Sequence, residues 1–244
     1  MFTIAFIGGD GAGKTTLTDR LRADFPLPLK YLYMGMSTRS SNYSLPTSKV
    51  AHFLKLYFYK KSNRVQSKEV SQFYEENRGP DKRGKIGAAA RLLNRMAEEC
   101  YRQVISWNYQ YRGNIVLYDR HFIFDFAPKA NDTNPLKDRF TERFHRWFLN
   151  HIYPQPDMSF FLDAPPEVLY ARKGEASIEY LQAKRETYLN QGKKMTNFYR
   201  IDATQTPDEV YEEVVQHIMH FYSAKKTKSA LPQKEIRRKG VLSQ

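Results

Sequence analysis

The residues Gly8-Gly9-Asp10-Gly11-Ala12-Gly13-Lys14-Thr15 constrain this chain more than any other stretch of it. They fit the spacing G-x4-G-K-[ST]. An apolar run, Thr3–Ile7, comes directly before them, and Leu17, Leu21 and Phe25 recur at four-residue spacing directly after. A buried strand, a glycine-rich loop and an amphipathic helix in that order form the setting in which the loop binds phosphate. Glycine tolerates the backbone angles that turn successive N–H groups inward, and the helix N-terminus adds further donors and a favourable dipole. Lys14 supplies a point charge for β/γ oxygens, and the Thr15 hydroxyl supplies a ligand for Mg²⁺. The expected nucleotide-binding set is therefore Gly8, Asp10, Gly11, Ala12, Gly13, Lys14, Thr15 and Thr16, with ATP and Mg²⁺ as the cofactors.

Five short β-type runs can be read along the chain: Thr3–Ile7, Lys30–Tyr33, Ile115–Tyr118, Met158–Leu162 and Phe198–Ile201. They are almost continuously apolar, as strands are when helices cover both faces of a sheet. Helical spacing separates them, in Val50/Leu54/Phe58, Leu93/Ala97/Cys100/Val104, Phe140/Phe144/Phe148 and Val210/Val214/Ile218/Phe221. Thr206-Pro207-Asp208-Glu209 is a helix start with a capping box. The alternation predicts an α/β, three-layer P-loop NTPase fold, a five-stranded parallel sheet flanked by helices. One domain is expected over 1–222, with an irregular, partly helical insert over 35–84 and a basic flexible tail over 223–244.

Ile115-Val116-Leu117-Tyr118 ends in Asp119-Arg120. Parallel sheets bind ligands at their carboxyl edge, so Asp119 is expected to orient Mg²⁺ or its waters and Arg120 to grip a phosphate. Metal ligation is thus assigned to Thr15 and Asp119. Further on, Arg172-Lys173-Gly174 lies between two helical patterns, and 172–178 is expected to be a lid that closes over phosphates. The six histidines show no metal-ligand spacing.

The formal net charge is +13, and 223–244 concentrates seven Lys and Arg against one Glu. That balance suits phosphate-rich ligands and leaves open a nucleic acid or anionic membrane contact through the tail. A single cysteine excludes an internal disulfide and fits a reducing compartment. No apolar run approaches the roughly 20 residues of a membrane span, and the N-terminus lacks the features of a signal peptide. The expected location is the cytoplasm.

With these residues in view, the chain resembles the thymidylate kinase family. The likeness rests on Gly8–Thr16, Asp119-Arg120-His121, Leu162-Asp163-Ala164-Pro165-Pro166-Glu167 and Ile201-Asp202-Ala203, in the family's order and with similar spacing. It runs over 1–222 and is patchy from 30 to 95. The resemblance implies that Asp10 contacts the acceptor's sugar and that Arg120 binds near the transferred phosphate. It also implies that Arg172 and Lys173 act from the lid, that Asp202-Ala203-Thr204 passes the adenine ring, and that the protein is a homodimer. There are departures as well. Ile7 stands where the family has Glu. Glu98 or Glu99 falls near the position of the family's acceptor-holding arginine, with Arg95 and Arg102 about a turn away. Phe122-Ile123-Phe124-Asp125-Phe126 replaces the family's serine and Ala-Tyr-Gln pattern.

The expected function is phosphoryl transfer from ATP to a small acceptor, for which the resemblance implies dTMP. Lys14, Arg120, Asp119 and Arg172 are the expected catalytic residues. A phosphate acceptor needs no general base; an alcohol acceptor would need Asp10 or Asp119 to take its proton. Two rival readings stand: a P-loop kinase of another nucleotide, nucleoside or sugar-linked compound, and a P-loop ATPase acting on nucleic acid or membrane.

Overall fold

The structure, a computed structural model, describes residues 1–35, 43, 45, 84–127, 140–174 and 176–230. Its strands are β1 (Thr3–Gly8), β2 (Leu29–Tyr33), β3 (Ile115–Asp119), β4 (Met158–Asp163) and β5 (Phe198–Asp202). All five strands expected from the sequence are present, each running one residue further toward its C-terminus or, for β2, one further toward its N-terminus. The helices are α1 (Lys14–Asp24), α2 (Gly84–Tyr111), α3 (Phe122–Asp125), α4 (Phe140–His151), α5 (Pro166–Lys173), α6 (Ile178–Gly192) and α7 (Pro207–Ala230).

The sheet is parallel throughout, in the order β2-β3-β1-β4-β5. β1 is central; Phe6 pairs with Asp119 on one side and with Phe160 on the other. Side chains alternate across a strand, and the core divides accordingly. Ile4, Phe6, Leu117 and Phe160 pack with Leu17 and Leu21 of α1 and with Val210, Val214 and Ile218 of α7. Ala5, Val116 and Tyr118 face the other way, onto α3 and onto Phe148 and Leu149 of α4. Ile7 and Phe161 meet Phe124 and Tyr188. Three layers result, and every strand delivers its C-terminal end to one edge.

Two helix stripes read from the sequence are turned differently. In α2, Leu93, Ala97, Cys100 and Val104 face outward, Leu93 with 66% and Val104 with 55% of its surface exposed. The buried face is polar: Glu98, Glu99, Arg102, Gln103 and Ser106. Periodicity assumes that the apolar face goes inside, but here the polar face goes inside because partners await it. Glu99 accepts from His145 Nε2 at 2.8 Å, Glu98 accepts the Leu45 N–H at 3.1 Å, and the Ser106 and Tyr118 hydroxyls lie 2.6 Å apart. In α4, only Phe148 of the Phe140/Phe144/Phe148 stripe is buried, and His145 and Leu149 complete its inner face.

The final helix runs eight residues past the expected end of the domain, to Ala230. The first part of the basic tail is thus helical. Lys225 Nζ ties it to the Met1 carbonyl at 3.2 Å and to Asp157 at 3.3 Å, and the Ser223 and Thr227 hydroxyls each bond a carbonyl one turn back. The rest of the tail, the Val50/Leu54/Phe58 stripe and most of the 35–84 insert lie outside the described residues. Among the described residues, no helix is long and apolar enough to cross a membrane.

Candidate active site

The carboxyl edge of the sheet gathers the loop after β1, Asp119-Arg120 after β3, Asp163 at the end of β4 and Ala203 after β5. The loop is held by backbone geometry. Gly11 and Gly13 have φ of 88° and 83°, in the left-handed region that favours glycine, and Gly13 caps α1 in that conformation. A side chain at Gly8 would put its Cβ 2.8 Å from the Leu162 carbonyl oxygen of β4, whereas one at Gly13 would meet nothing within 4 Å. The loop is thus pressed against the sheet at its start and open at its end. Among the described residues, the N–H groups of Gly11, Gly13, Lys14, Thr15 and Thr16 donate to no backbone carbonyl. Such orphan donors at a helix start suit an anion.

Lys14 is buried, 8% exposed, and its Nζ donates to the carbonyls of Gly8 at 2.9 Å and Gly9 at 2.7 Å. An ammonium has three N–H donors, so one remains beyond these two. Burial, with Arg120 and Lys184 nearby, brings the Lys14 ammonium down to about 8, against the pull of Asp10 and Asp119.

Arg120 and Asp10 meet across the cleft, with Nη2 to Oδ1 at 2.8 Å. Arg120 holds φ at 64°, uncommon for a residue with a side chain, while its N–H donates to the Phe6 carbonyl at 3.0 Å. Burial works against the guanidinium, but Asp125 and Asp10 outweigh it and keep the proton on. Burial likewise pushes the Asp10 carboxyl up, and Lys184, Arg120 and Lys14 together bring it below its ordinary value. Asp119 Oδ2 accepts the Tyr31 hydroxyl at 2.8 Å; burial and that carboxylate raise the tyrosine well above the usual phenol range.

Arg172 has partners of its own. Its Nη1 donates to the Ala203 carbonyl at 2.9 Å, and it borders a cavity of about 310 Å³ with Gly11, Ala12, Gly13, Thr16 and Ala203. Lys173, the last residue of α5, is exposed, and its Cβ approaches the place a Gly11 side chain would take. In the 172–178 segment, Gly174 closes α5 in the left-handed conformation and the Ser177 hydroxyl caps α6. The structure thus brings Asp10 and Arg120 together near Lys14, and sets Arg172 with Ala203 against Gly11, Ala12 and Gly13.

Two residues in the stretches named above are enclosed. His121 is wholly buried. Its Nδ1 accepts the Ile123 N–H at 3.4 Å, its Nε2 has no partner, and burial drops it to about 3, so it is neutral. Arg102 is 2% exposed, donates to the Gly35 carbonyl at 2.8 Å, and lies over the Phe122 ring. Arg95 is exposed and sits 5.0 Å from the centre of the Phe126 ring. Of the two flanking arginines, Arg102 is occupied in closing the end of β2.

Two features go beyond the sequence reading, in which Asp163 figures only in the family likeness and Lys184 not at all. Asp163 is 4% exposed and takes a two-pronged bond from Arg185, at 2.6 and 2.9 Å, and a third from Arg200 at 2.6 Å. The charge of Lys184 acts on Asp10 and Lys14, lowering the pKa of both. The spacing of Leu181, Lys184 and Tyr188 on one helix face was the signal available. Among the described residues, no group of three or more His, Cys, Asp or Glu is placed to hold a metal by itself.

No protein-family model matches the chain. Over 76 residues it is 37% identical to a probable thymidylate kinase 1 of Saccharolobus solfataricus, covering 29% of this chain and 40% of that one. Over 111 residues it is 30% identical to a thymidylate kinase of Thermosipho melanesiensis, covering 42% and 54%. A thymidylate kinase of Acinetobacter baylyi is 29% identical over 118 residues, covering 43% and 54%. The chain therefore spans about half the length of the curated relatives it matches. Among solved structures, a deoxyadenosine kinase from M. mycoides, determined with dCMP and a flexible dCDP, superposes with a TM-score of 0.50 at 14% identity, covering 90% of this chain and 99% of that one. That likeness concerns the fold. The chain is thus similar to thymidylate kinases over less than half of its length, and its three-layer α/β fold with a phosphate-binding loop is like that of the deoxyadenosine kinase.

Proposed function

We propose that the protein transfers the γ-phosphoryl group of ATP to a small phosphorylated acceptor, with a nucleoside monophosphate, dTMP first, as the acceptor to test. The observation that carries this reading is the loop itself. Five N–H groups without carbonyl partners stand at the start of α1, and a buried lysine beside them has an N–H left over. The resemblance to thymidylate kinases supports the choice of acceptor.

In this reading the loop amides and Lys14 hold the β- and γ-phosphates. Arg172 and the cavity beside Ala203 hold the nucleoside end. The Asp10–Arg120 pair faces the acceptor, Asp10 toward a sugar hydroxyl and Arg120 toward the phosphate. Mg²⁺ would be held by Thr15, whose residue is exposed, and by Asp119, whose second oxygen is not engaged by Tyr31. When bound, the ion neutralises charge on the phosphates. An acceptor phosphate is already anionic near neutrality, so the residues need only position and neutralise.

The test is a panel. ATP and Mg²⁺ are offered with dTMP, other nucleoside monophosphates, nucleosides and sugar phosphates, and ADP formation is measured with product identified by mass. Turnover with dTMP well above the others is expected. Hydrolysis indifferent to every acceptor, stimulated instead by DNA or lipid vesicles, would replace this reading with the ATPase one.

A pH dependence follows from Lys14. Nucleotide binding favours the ammonium, so it raises a group that stands at about 8 in the free protein. Affinity for Mg·ATP is expected to be flat below pH 8 and to fall above it, approaching about tenfold per pH unit until the bound-state value is reached. Calorimetric dissociation constants from pH 7 to 10 would show the bend; Lys14→Met should bind more weakly and lack it.

A further inference from the structure

The charge cluster around Asp10 contains a cation that no motif announced. On α6, Leu181, Lys184 and Tyr188 recur at i, i+3 and i+7 and so share one helix face. The ends of that face are fixed. Leu181 is 3% exposed, and its Cδ2 lies 3.6 Å from the place a Gly9 side chain would take, so this turn rests on the phosphate-binding loop. Tyr188 is 2% exposed and packs edge-on to Phe124 and Phe161, in the field of Asp125, Arg120 and Asp10. Lys184 stands between these two anchors. It therefore faces the opening bounded by the loop and by the Asp10–Arg120 pair.

Its surroundings suit a ligand more than a structural bond. The ammonium lies 5.6 Å from the centre of the Tyr180 ring and 5.8 Å from that of Tyr188, so two aromatic faces bracket it. Its neighbour Arg185 is committed to Asp163. Among the described residues Lys184 has no carboxylate within ion-pair distance. Its charge is nevertheless felt at both Asp10 and Lys14. Cations collected in a cleft this way cost free energy until an anion arrives.

We infer that Lys184 is a further phosphate-contacting residue, which reaches from α6 to the phosphoryl group in transfer while Lys14 holds it from the loop. The inference rests on the proposed kinase reading. In the step concerned, the bond from γ-phosphorus to the bridging oxygen of ADP breaks as a bond to the acceptor's phosphate oxygen forms, and no proton has to move. Charge on the three equatorial oxygens is what a second ammonium would stabilise. Arg172, tied to the Ala203 carbonyl on the nucleoside side, leaves that position to Lys184.

The test compares wild type, Lys184→Met and Lys184→Arg with the acceptor identified in the panel. Methionine keeps the unbranched stem and removes the charge. Lys184→Met is expected to lower kcat by about a hundredfold, with the Kd for Mg·ADP and the melting temperature unchanged, and Lys184→Arg to recover activity to within about tenfold of wild type. A structural role would instead shift the melting temperature and Mg·ADP affinity together. A kcat for Lys184→Met within threefold of wild type, or an equal loss in both variants, overturns the inference while leaving the kinase reading standing. Wild-type protein that transfers to no acceptor overturns the kinase reading and this inference with it.

Discussion

Lys14→Ala is expected to keep its fold and to lose at least roughly a thousandfold of its transfer rate, about 4 kcal/mol of transition-state stabilisation. The two halves of this expectation have separate origins. In the folded protein Lys14 contributes hydrogen bonds to the Gly8 and Gly9 carbonyls, each worth about 1 kcal/mol net. Against them stands the cost of burying an ammonium, visible in its lowered protonation. Stability should therefore change little. In the reaction the ammonium is a fixed charge at the oxygens where charge moves, in a site with little water to replace it, and nothing in alanine substitutes. Circular dichroism, a thermal melt and steady-state kinetics on one preparation separate the two effects. A fully active Lys14→Ala protein would remove the loop from the chemistry.

The second large effect concerns Arg120, where activity and stability should part company. Arg120→Ala and Arg120→Gly both remove the guanidinium that faces Asp10, and both should lower kcat/KM for the acceptor by about a hundred- to a thousandfold. The backbone at this position has φ of 64°. Alanine must hold that left-handed conformation at a cost glycine avoids, so Arg120→Gly should be the more stable of the two variants by roughly 0.5–1 kcal/mol. The Asp10 ion pair, with side chains 25% and 30% exposed, is equally lost in both and is worth at most about 1 kcal/mol. Urea denaturation of the two variants reads the difference directly. If they are equally stable, the backbone at 120 is not strained; if either keeps wild-type turnover, Arg120 does not serve the acceptor.

What was legible in the sequence depended on how local its cause was. The three central strands were readable because β1, β3 and β4 are buried on both faces and so are almost continuously apolar. The loop was readable because its glycines answer a backbone requirement, met at Gly11 and Gly13. Asp119 and Arg120 were readable because a parallel sheet brings its strand ends to one edge. The face of α2 was not readable, because the burial of Glu98, Glu99 and Arg102 depends on partners 46 to 67 residues away in sequence. The same holds for Lys184. Its position depends on α6 crossing the loop, with Leu181 near the place a Gly9 side chain would take, which no local pattern states. Arg172 was expected to act from a lid, and its tie to the Ala203 carbonyl was not readable because it required the fold to bring β5 alongside.

The most direct test of the account is a crystal structure grown with Mg²⁺ and a non-hydrolysable ATP analogue. The β- and γ-phosphates should lie within hydrogen-bond distance of the Gly11–Thr16 N–H groups and of Lys14 Nζ, with the metal at the Thr15 hydroxyl and the γ-phosphate turned toward Arg120. A nucleotide bound elsewhere with this loop empty, or a triphosphate in the loop whose γ-end points away from Arg120, would contradict it.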